Sequence, residues 1–384
     1  MMHARGRGGE SGVRRARGVF FGWYVVLACF FIALFAWGLA FYGNGVYLAA
    51  LRARHGWSTA LIASATTAFY LVGAALLTVV STAIERFGPQ RVVLLGMMAL
   101  SGGVLALAVV TAPWQLYVAY LAMAVGWATM SLTAITTILA AWFVRRRGFA
   151  ISLALNGASA GGILVAPALV YLTGTRGFAT ALIAVVAAML LVLVPLVTLC
   201  VRRRPEDLGV GPDGDPSPPG DGRARPRSPA AGAHGQRAAA LRDVGFWTIA
   251  IPFAFGLTAQ VGFLTHQIAF LTPALGTGGA GLAVALTTGA AVAGRVGLGL
   301  VVDRLDQRLT TAAAFGSQAV ALLVLAVAGE PLALYLACLG YGLSVGNVIT
   351  LPALLVQREF APAAFGTVIG LVMALSQVTF AFGP

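Results

Sequence analysis

The residue whose placing carries the most chemistry is Arg295, which breaks an otherwise uncharged run from Phe246 to Val302. It lies eight residues before Asp303, so on a helix rising about 1.5 Å per residue it sits roughly 12 Å in from that end. An arginine at such depth in an apolar segment is costly and belongs against a cavity. Its planar guanidinium can hold a carboxylate through two parallel hydrogen bonds. The competing role is a side chain that snorkels to the nearer water surface. His266 is the one histidine inside an apolar run. It can titrate near neutral pH and carry a proton, hydrogen-bond a ligand, or be satisfied by neighbouring helices. Gln260 and Gln267 share its helix, and at most one of them is expected to line a cavity with it. Tyr42, Asn44, Tyr70, Asn156, Tyr341, Asn347 and Gln377 are further polar residues in apolar runs, able to line a cavity or to bond helix to helix.

What is missing narrows the chemistry. All twelve acids lie in loops, tails or helix ends, so no carboxylate relay crosses an apolar segment. Cys29, Cys200 and Cys338 each lie in an apolar stretch without metal-ligand spacing and read as small buried hydrophobes. Gly157 and Gly161 permit close helix packing. They are not a phosphate loop, because the lysine and hydroxyl residue of one do not follow. With no nucleophile, base or metal cluster in view, neither an enzyme nor a bound cofactor is expected.

These residues must be positioned by membrane helices. Charged residues make up 10% of the 384-residue chain and hydrophobic ones 59%, where a soluble domain carries about 25% charged residues. Apolar stretches long enough to span a bilayer predict helices at 20–47, 60–84, two within 92–143 broken at 111–114, 148–172, 178–201, two within 246–302 broken around 272–280, 310–328, 332–356 and 361–384. The run from Val19 to Leu51 is too long for a signal peptide and is a first span. The expected organisation is a basic tail (1–18), a six-helix bundle (19–201), a linker (202–243) and a five-helix bundle (244–384). The linker is rich in Pro, Gly, Asp and Arg and is expected to be disordered.

The net charge of +13 comes entirely from arginine, with no lysine in the chain. The arginines fall in short gaps between apolar runs, which argues for topology-setting charge and against a nucleic-acid partner. With the N-terminus cytoplasmic, the inside segments hold 21 of the 25 arginines, and Arg52, Arg54 and Arg176 fall outside. This asymmetry predicts a multi-pass protein of the plasma (inner) membrane.

The two halves repeat a local pattern. Ser81-x-x-x-Glu85-Arg86-Phe87-Gly88-Pro89-Gln90-Arg91 follows the second span of the first half. Gly299-x-x-x-Asp303-Arg304-Leu305-Asp306-Gln307-Arg308 follows the second span of the other. An internal repeat with a central linker suits alternating access. Glu85, Arg86, Arg91, Asp303, Arg304 and Arg308 are placed to pair across helix ends and control a gate; the alternative is charge that sets topology alone.

These loops resemble the signature of the major facilitator superfamily, G-x-x-x-D-R-x-G-R-R, with Glu85 where an aspartate is usual. Three stretches resemble its oxalate/formate antiporter and monocarboxylate porter branch. They are Gly22-Trp23-Tyr24-Val25-Val26, then Trp142 to Ala150 with Gly157-x-x-x-Gly161-Gly162, and Gly294-Arg295-x-Gly297-x-Gly299 running into Asp303-Arg304. The resemblance implies an all-α major facilitator fold of two helical bundles, alternating access, and a substrate carboxylate held by Arg295. It also implies a twelfth helix beyond Phe382-Gly383-Pro384, so the expected count is six plus five with the twelfth absent. The porters have an acid four residues before this arginine, where the chain has Ala291, and the eleventh span offers Ser376 and Gln377 in place of a second cation. A lone deep cation suits an organic monoanion better than a dianion. The expected partners are therefore a small organic anion and the bilayer, for a monomeric carrier. The alternatives are an exporter of hydrophobic compounds on the same fold, and a non-transporting receptor or remnant.

Overall fold

A computed structural model describes residues 20–201, 205–215 and 233–382. The basic tail 1–18, Arg202 to Arg204, linker residues 216–232 and Gly383-Pro384 lie outside the described residues. The side chain of Asp303 does too.

Among the described residues, ten helices are long and apolar enough to cross a membrane: α1 (Gly22–His55), α2 (Thr59–Phe87), α3 (Pro89–Ala106), α4 (Pro113–Trp142), α5 (Arg147–Arg176), α6 (Phe178–Val201), α7 (Val244–Gly276), α8 (Gly278–Val301), α9 (Gln307–Val327) and α10 (Pro331–Glu359). A shorter apolar helix, α11 (Phe365–Phe380), follows. In hydrocarbon every backbone group must be bonded within the protein, so long apolar runs have no alternative to helix. Punctuation sets the ends. Pro89, Pro113 and Pro331 open helices, where a missing N–H costs nothing. The Ser58 and Asp306 side chains accept from Leu61 N and Leu309 N, capping α2 and α9. Gly276, at φ 70°, makes the turn that separates α7 from α8, inside the break expected there.

One difference lies at the end of α1, which continues as helix to His55 and stops at Gly56 (φ 66°). Arg54 is therefore helical, and its Nη1 donates to the carbonyl of Ala108 just past α3, satisfying an acceptor that a helix end leaves open.

The first half packs through α1 on α5, α3 on α4 and α2 on α4; the second through α8 on α10 and α9 on α10. Two seams join the halves, α2 against α11 and α5 against α8. The first residue of each repeated loop pattern sits in a seam. Ser81 Oγ donates to the Gly366 carbonyl at 2.9 Å. A Cβ on Gly299 would lie 2.8 Å from Ser152 Cβ. Nearby, the Arg147 guanidinium lies 5.6 Å from the Phe365 ring centroid.

All hydrogen bonds between the helices of the two halves, among the described residues, come from the middle of these helices or their arginine-rich end. Residues 59–69 of α2, 160–176 of α5 and 278–294 of α8 make none across the seams. The hydrogen-bonded ties between the halves thus lie at mid-helix and toward the arginine-rich face.

The linker departs from the expected disorder in both of its described stretches. Asp213 accepts from the backbone N–H groups of Val144, Arg145 and Arg146 at 3.0, 2.9 and 3.4 Å. Asp215 takes both Arg145 terminal nitrogens at 2.9 Å. Residues Ala233–Arg242 form a helix whose Arg237 donates to the Thr78 carbonyl at 2.9 Å. Composition alone did not show that two aspartates match a row of exposed N–H donors and an arginine sixty-odd residues away.

Candidate functional site

A cavity of about 220 Å³ lies between the halves at mid-helix. Arg295 lines it and is only 2% exposed. The helix packing explains its position. A Cβ on Gly294 would collide with the Leu343 carbonyl, so glycine there lets α8 close on α10. That approach brings Arg295 Nε within 3.0 Å of the Gly346 carbonyl. Nη1 donates across the seam to the Leu155 carbonyl at 2.9 Å, Ser159 Oγ at 3.1 Å and Asn156 Oδ1 at 3.2 Å. The side chain is held between α5 and α10, so it does not snorkel. All four acceptors are neutral, and no Asp or Glu lines the cavity among the described residues. A buried cation bonded only to dipoles keeps an uncompensated charge, which an incoming anion can neutralise.

Tyr42, Gln377 and Arg295 are brought together on the cavity wall, and Asn156 reaches it through its bond to Arg295. Gln377, 2% exposed, bridges the other seam. Its Nε2 donates to the Tyr70 carbonyl at 2.7 Å and its Oε1 accepts from Trp127 Nε1 at 2.8 Å. Tyr70 thus contributes a backbone acceptor, and its ring, itself off the wall, packs edge-on against the lining residue Phe380.

Besides Tyr70, four nominated residues are placed elsewhere. His266 is exposed and off the wall. Gln260 and Gln267 both line it, contrary to the expectation of at most one. They are seven residues, nearly two helical turns, apart and so share a face that His266 does not. Asn44 donates to Ala40 and Asn347 to Leu343, each one turn back on its own helix. Tyr341 is fully buried, with its ring 4.7 Å from that of Phe263. None of these three lines the cavity.

The loop charges are expected to pair across helix ends, and those that pair among the described residues do so with residues at the end of α10. Arg308 grips Glu359, at the end of α10, with Nε and Nη2 both at 2.6 Å. Arg358 lies 3.9 Å from Asp306. Glu85, Arg86, Arg91 and Arg304 are exposed and form no ion pair among the described residues.

Several wall residues escaped the sequence. Trp37, Phe41 and Trp127 make an aromatic wall, with Trp37 and Trp127 centroids 4.8 Å apart. Thr133 lines the cavity, fully buried, and its hydroxyl has no partner. It follows Ser131, where α4 is interrupted by extended backbone (ψ −177°). Broken helices at mid-membrane are a recurring source of transporter binding groups.

This arrangement, two bundles parted by a mid-membrane cavity with a closed arginine-rich end, decides the class once it is compared with known proteins. Residues 26–384 match the Major Facilitator Superfamily. The chain belongs to that superfamily. It is 31% identical to human monocarboxylate transporter 11, over 91% of this chain and 70% of that protein. Among solved structures it resembles the human organic anion transporter MFSD10 (TM-score 0.61, 16% identity, 94% of this chain and 92% of that one). It also resembles the E. coli fucose:proton symporter FucP (TM-score 0.66, 13% identity, 93% and 90%). The superfamily chain is thus a multi-pass membrane transporter of a small molecule, and not an enzyme.

Proposed function

We propose that the chain carries a small organic monoanion, a monocarboxylate, with Arg295 as its anchor. One observation carries the reading: a single buried cation on the cavity wall, bonded only to neutral groups, in a cavity with no acid and no second cation among the described residues. A monoanion neutralises that charge, whereas a dianion would keep an unpaired negative charge against a largely apolar wall. The likeness to a monocarboxylate transporter agrees with it.

The arginine-rich face is taken as cytoplasmic, by the positive-inside rule, in a plasma membrane. On that reading Ser81–Gly366 and Ser152–Gly299 close the inner end, and the substrate reaches the cavity from the outer side. The loop charges act as gate elements, Arg308–Glu359 tying α9 to α10 in this state.

The test is uptake of labelled carboxylates into proteoliposomes. Arg295→Ala is expected to abolish uptake while the protein inserts and folds. Normal uptake by that variant sinks the reading.

A further inference from the structure

We infer that the anion bears an aromatic ring and no ammonium group, the ring being received on the wall of Trp37, Phe41 and Trp127. This rests on Arg295 as the carboxylate anchor and specifies the other end of the substrate.

Three observations carry it. First, the wall is a built surface. Trp37 and Trp127 are 8% and 5% exposed, tilted at 60° with centroids 4.8 Å apart, and Phe41 is nearly parallel to Trp127 at 6.4 Å. Such offset and tilted spacings are those at which aromatic rings attract one another, and a further ring can join them in the same way. The Trp127 N–H is already committed to Gln377 Oε1, so its polar edge is fixed and cannot turn to serve a polar ligand.

Second, the backbone is distorted where the wall is made. Gly38–Tyr42 is a π-helical turn within α1. Its wider i→i+5 bonding lets Trp37, Phe41 and Tyr42 all reach the cavity, although Trp37 and Tyr42, five residues apart, face different ways on a regular helix. π-turns of this kind occur frequently at functional sites.

Third, the rest of the chamber suits a ring. The opposite half contributes aliphatic Leu257, Val261, Leu264 and Val345, interspersed with the neutral polar groups Gln260, Gln267 and Thr288. The volume of about 220 Å³ exceeds by more than tenfold the roughly 10–15 Å³ that one water needs on a comparable measure. A two- to four-carbon acid held at Arg295 would leave the aromatic wall unfilled. An amino acid would bring an ammonium group, and no Asp or Glu lines the cavity to receive it among the described residues.

The experiment measures equilibrium binding of labelled 3-phenylpropionate, butyrate and phenylalanine to the purified full chain in lipid nanodiscs. The wild type is expected to bind 3-phenylpropionate at least tenfold more tightly than butyrate or phenylalanine. Trp37→Leu is expected to cut the preference over butyrate below threefold, and Trp37→Phe to retain most of it. Butyrate binding as tightly as 3-phenylpropionate, or a preference untouched by Trp37→Leu, overturns the inference; so does phenylalanine binding best. Should Trp37→Leu fail to fold, the wild-type ratios alone decide. The two readings fail separately. If butyrate binds and Arg295→Ala removes it while the ring gives no advantage, the ring is wrong and the anchor stands. If Arg295→Ala leaves binding of both acids intact, or neither acid binds the wild type, the anchor fails and this inference with it.

Discussion

Arg295 and Leu155 are joined across the seam between the halves, the guanidinium Nη1 donating to the leucine carbonyl oxygen at 2.9 Å. The residue placed to hold an anion is therefore also a tie between α5 and α8. A carboxylate reaching the guanidinium competes with Leu155, Asn156 and Ser159 for its donors. Occupying the site and loosening the seam become one event, which gives the ligand the differential interaction that any population shift requires.

Lysine in place of Arg295 keeps the charge but loses the fork, so it cannot reach Gly346, Leu155 and a carboxylate at once. A hydrogen bond to a charged group contributes about 1.5–3 kcal/mol, which corresponds to roughly 10- to 150-fold in affinity. Arg295→Lys is expected to lower carboxylate affinity by that order in a binding assay. Wild-type affinity would show that a point charge suffices and that the fork geometry is irrelevant.

The second seam has its own tie at Gln377, and Gly73 makes room for it. A Cβ on Gly73 would lie 2.5 Å from Gln377 Nε2. Gly73→Ala should displace the amide from the Tyr70 carbonyl and from Trp127. Leaving such buried polar groups unpaired costs about 1–3 kcal/mol. The expected result is a lower thermal-unfolding midpoint for the purified protein. An unchanged midpoint would mean that the amide relaxes without loss of its bonds.

The span pattern was readable because apolar length and charge alternate along the chain; the break at Gly276 fell where residues 272–280 predicted it. Arg295 was readable because one charge in an apolar run has contrast. Trp37, Phe41 and Trp127 have no such contrast. They are apolar residues among apolar neighbours, and in a membrane helix the lipid-facing and protein-facing sides are both hydrophobic. The π-turn that gathers them has no signature of its own. The Asp213 contact to residues 144–146 was hidden for another reason: it joins chain segments nearly seventy residues apart.

Gly299 sits at the α5–α8 seam, where a methyl group would press on Ser152. Overpacking of this kind costs about 1–3 kcal/mol, and it acts only in the state where these helices touch. Gly299→Ala is expected to favour opening at the arginine-rich face. A cysteine at Ser81, in the companion seam, should then react faster with a thiol reagent applied from that face. Equal labelling rates with and without Gly299→Ala would show that the seam does not move as a unit.

His266 provides a negative control within α7. It is exposed and off the cavity wall, while Gln260 and Gln267 line it. His266→Ala is expected to leave carboxylate uptake within about twofold and its pH profile unshifted, since surface changes away from buried features usually fall within ±0.5 kcal/mol. Loss of uptake, or a pH profile that moves, would return this histidine to the transport path.

The linker contact gives a prediction with a sign. The bidentate bond from Arg145 holds the Asp215 carboxyl below the usual carboxylate range. A carboxylate with a depressed pKa stabilises the docked state at pH values above its undocked pKa, near 4 for an aspartate. That contribution is lost only as the pH falls through the lower, docked value. Docking of residues 205–215 on the loop at 144–146 is therefore expected to be constant from pH 6 to 8. Both partners are more than half exposed, so salt should screen the pair. Hydrogen exchange read at residues 205–215 tests this. Protection should be flat across neutral pH, fall in high salt, and fall further in Asp215→Asn. Protection that titrates between pH 6 and 8, or that survives Asp215→Asn intact, would mean that the Arg145–Asp215 pair does not hold the linker in place.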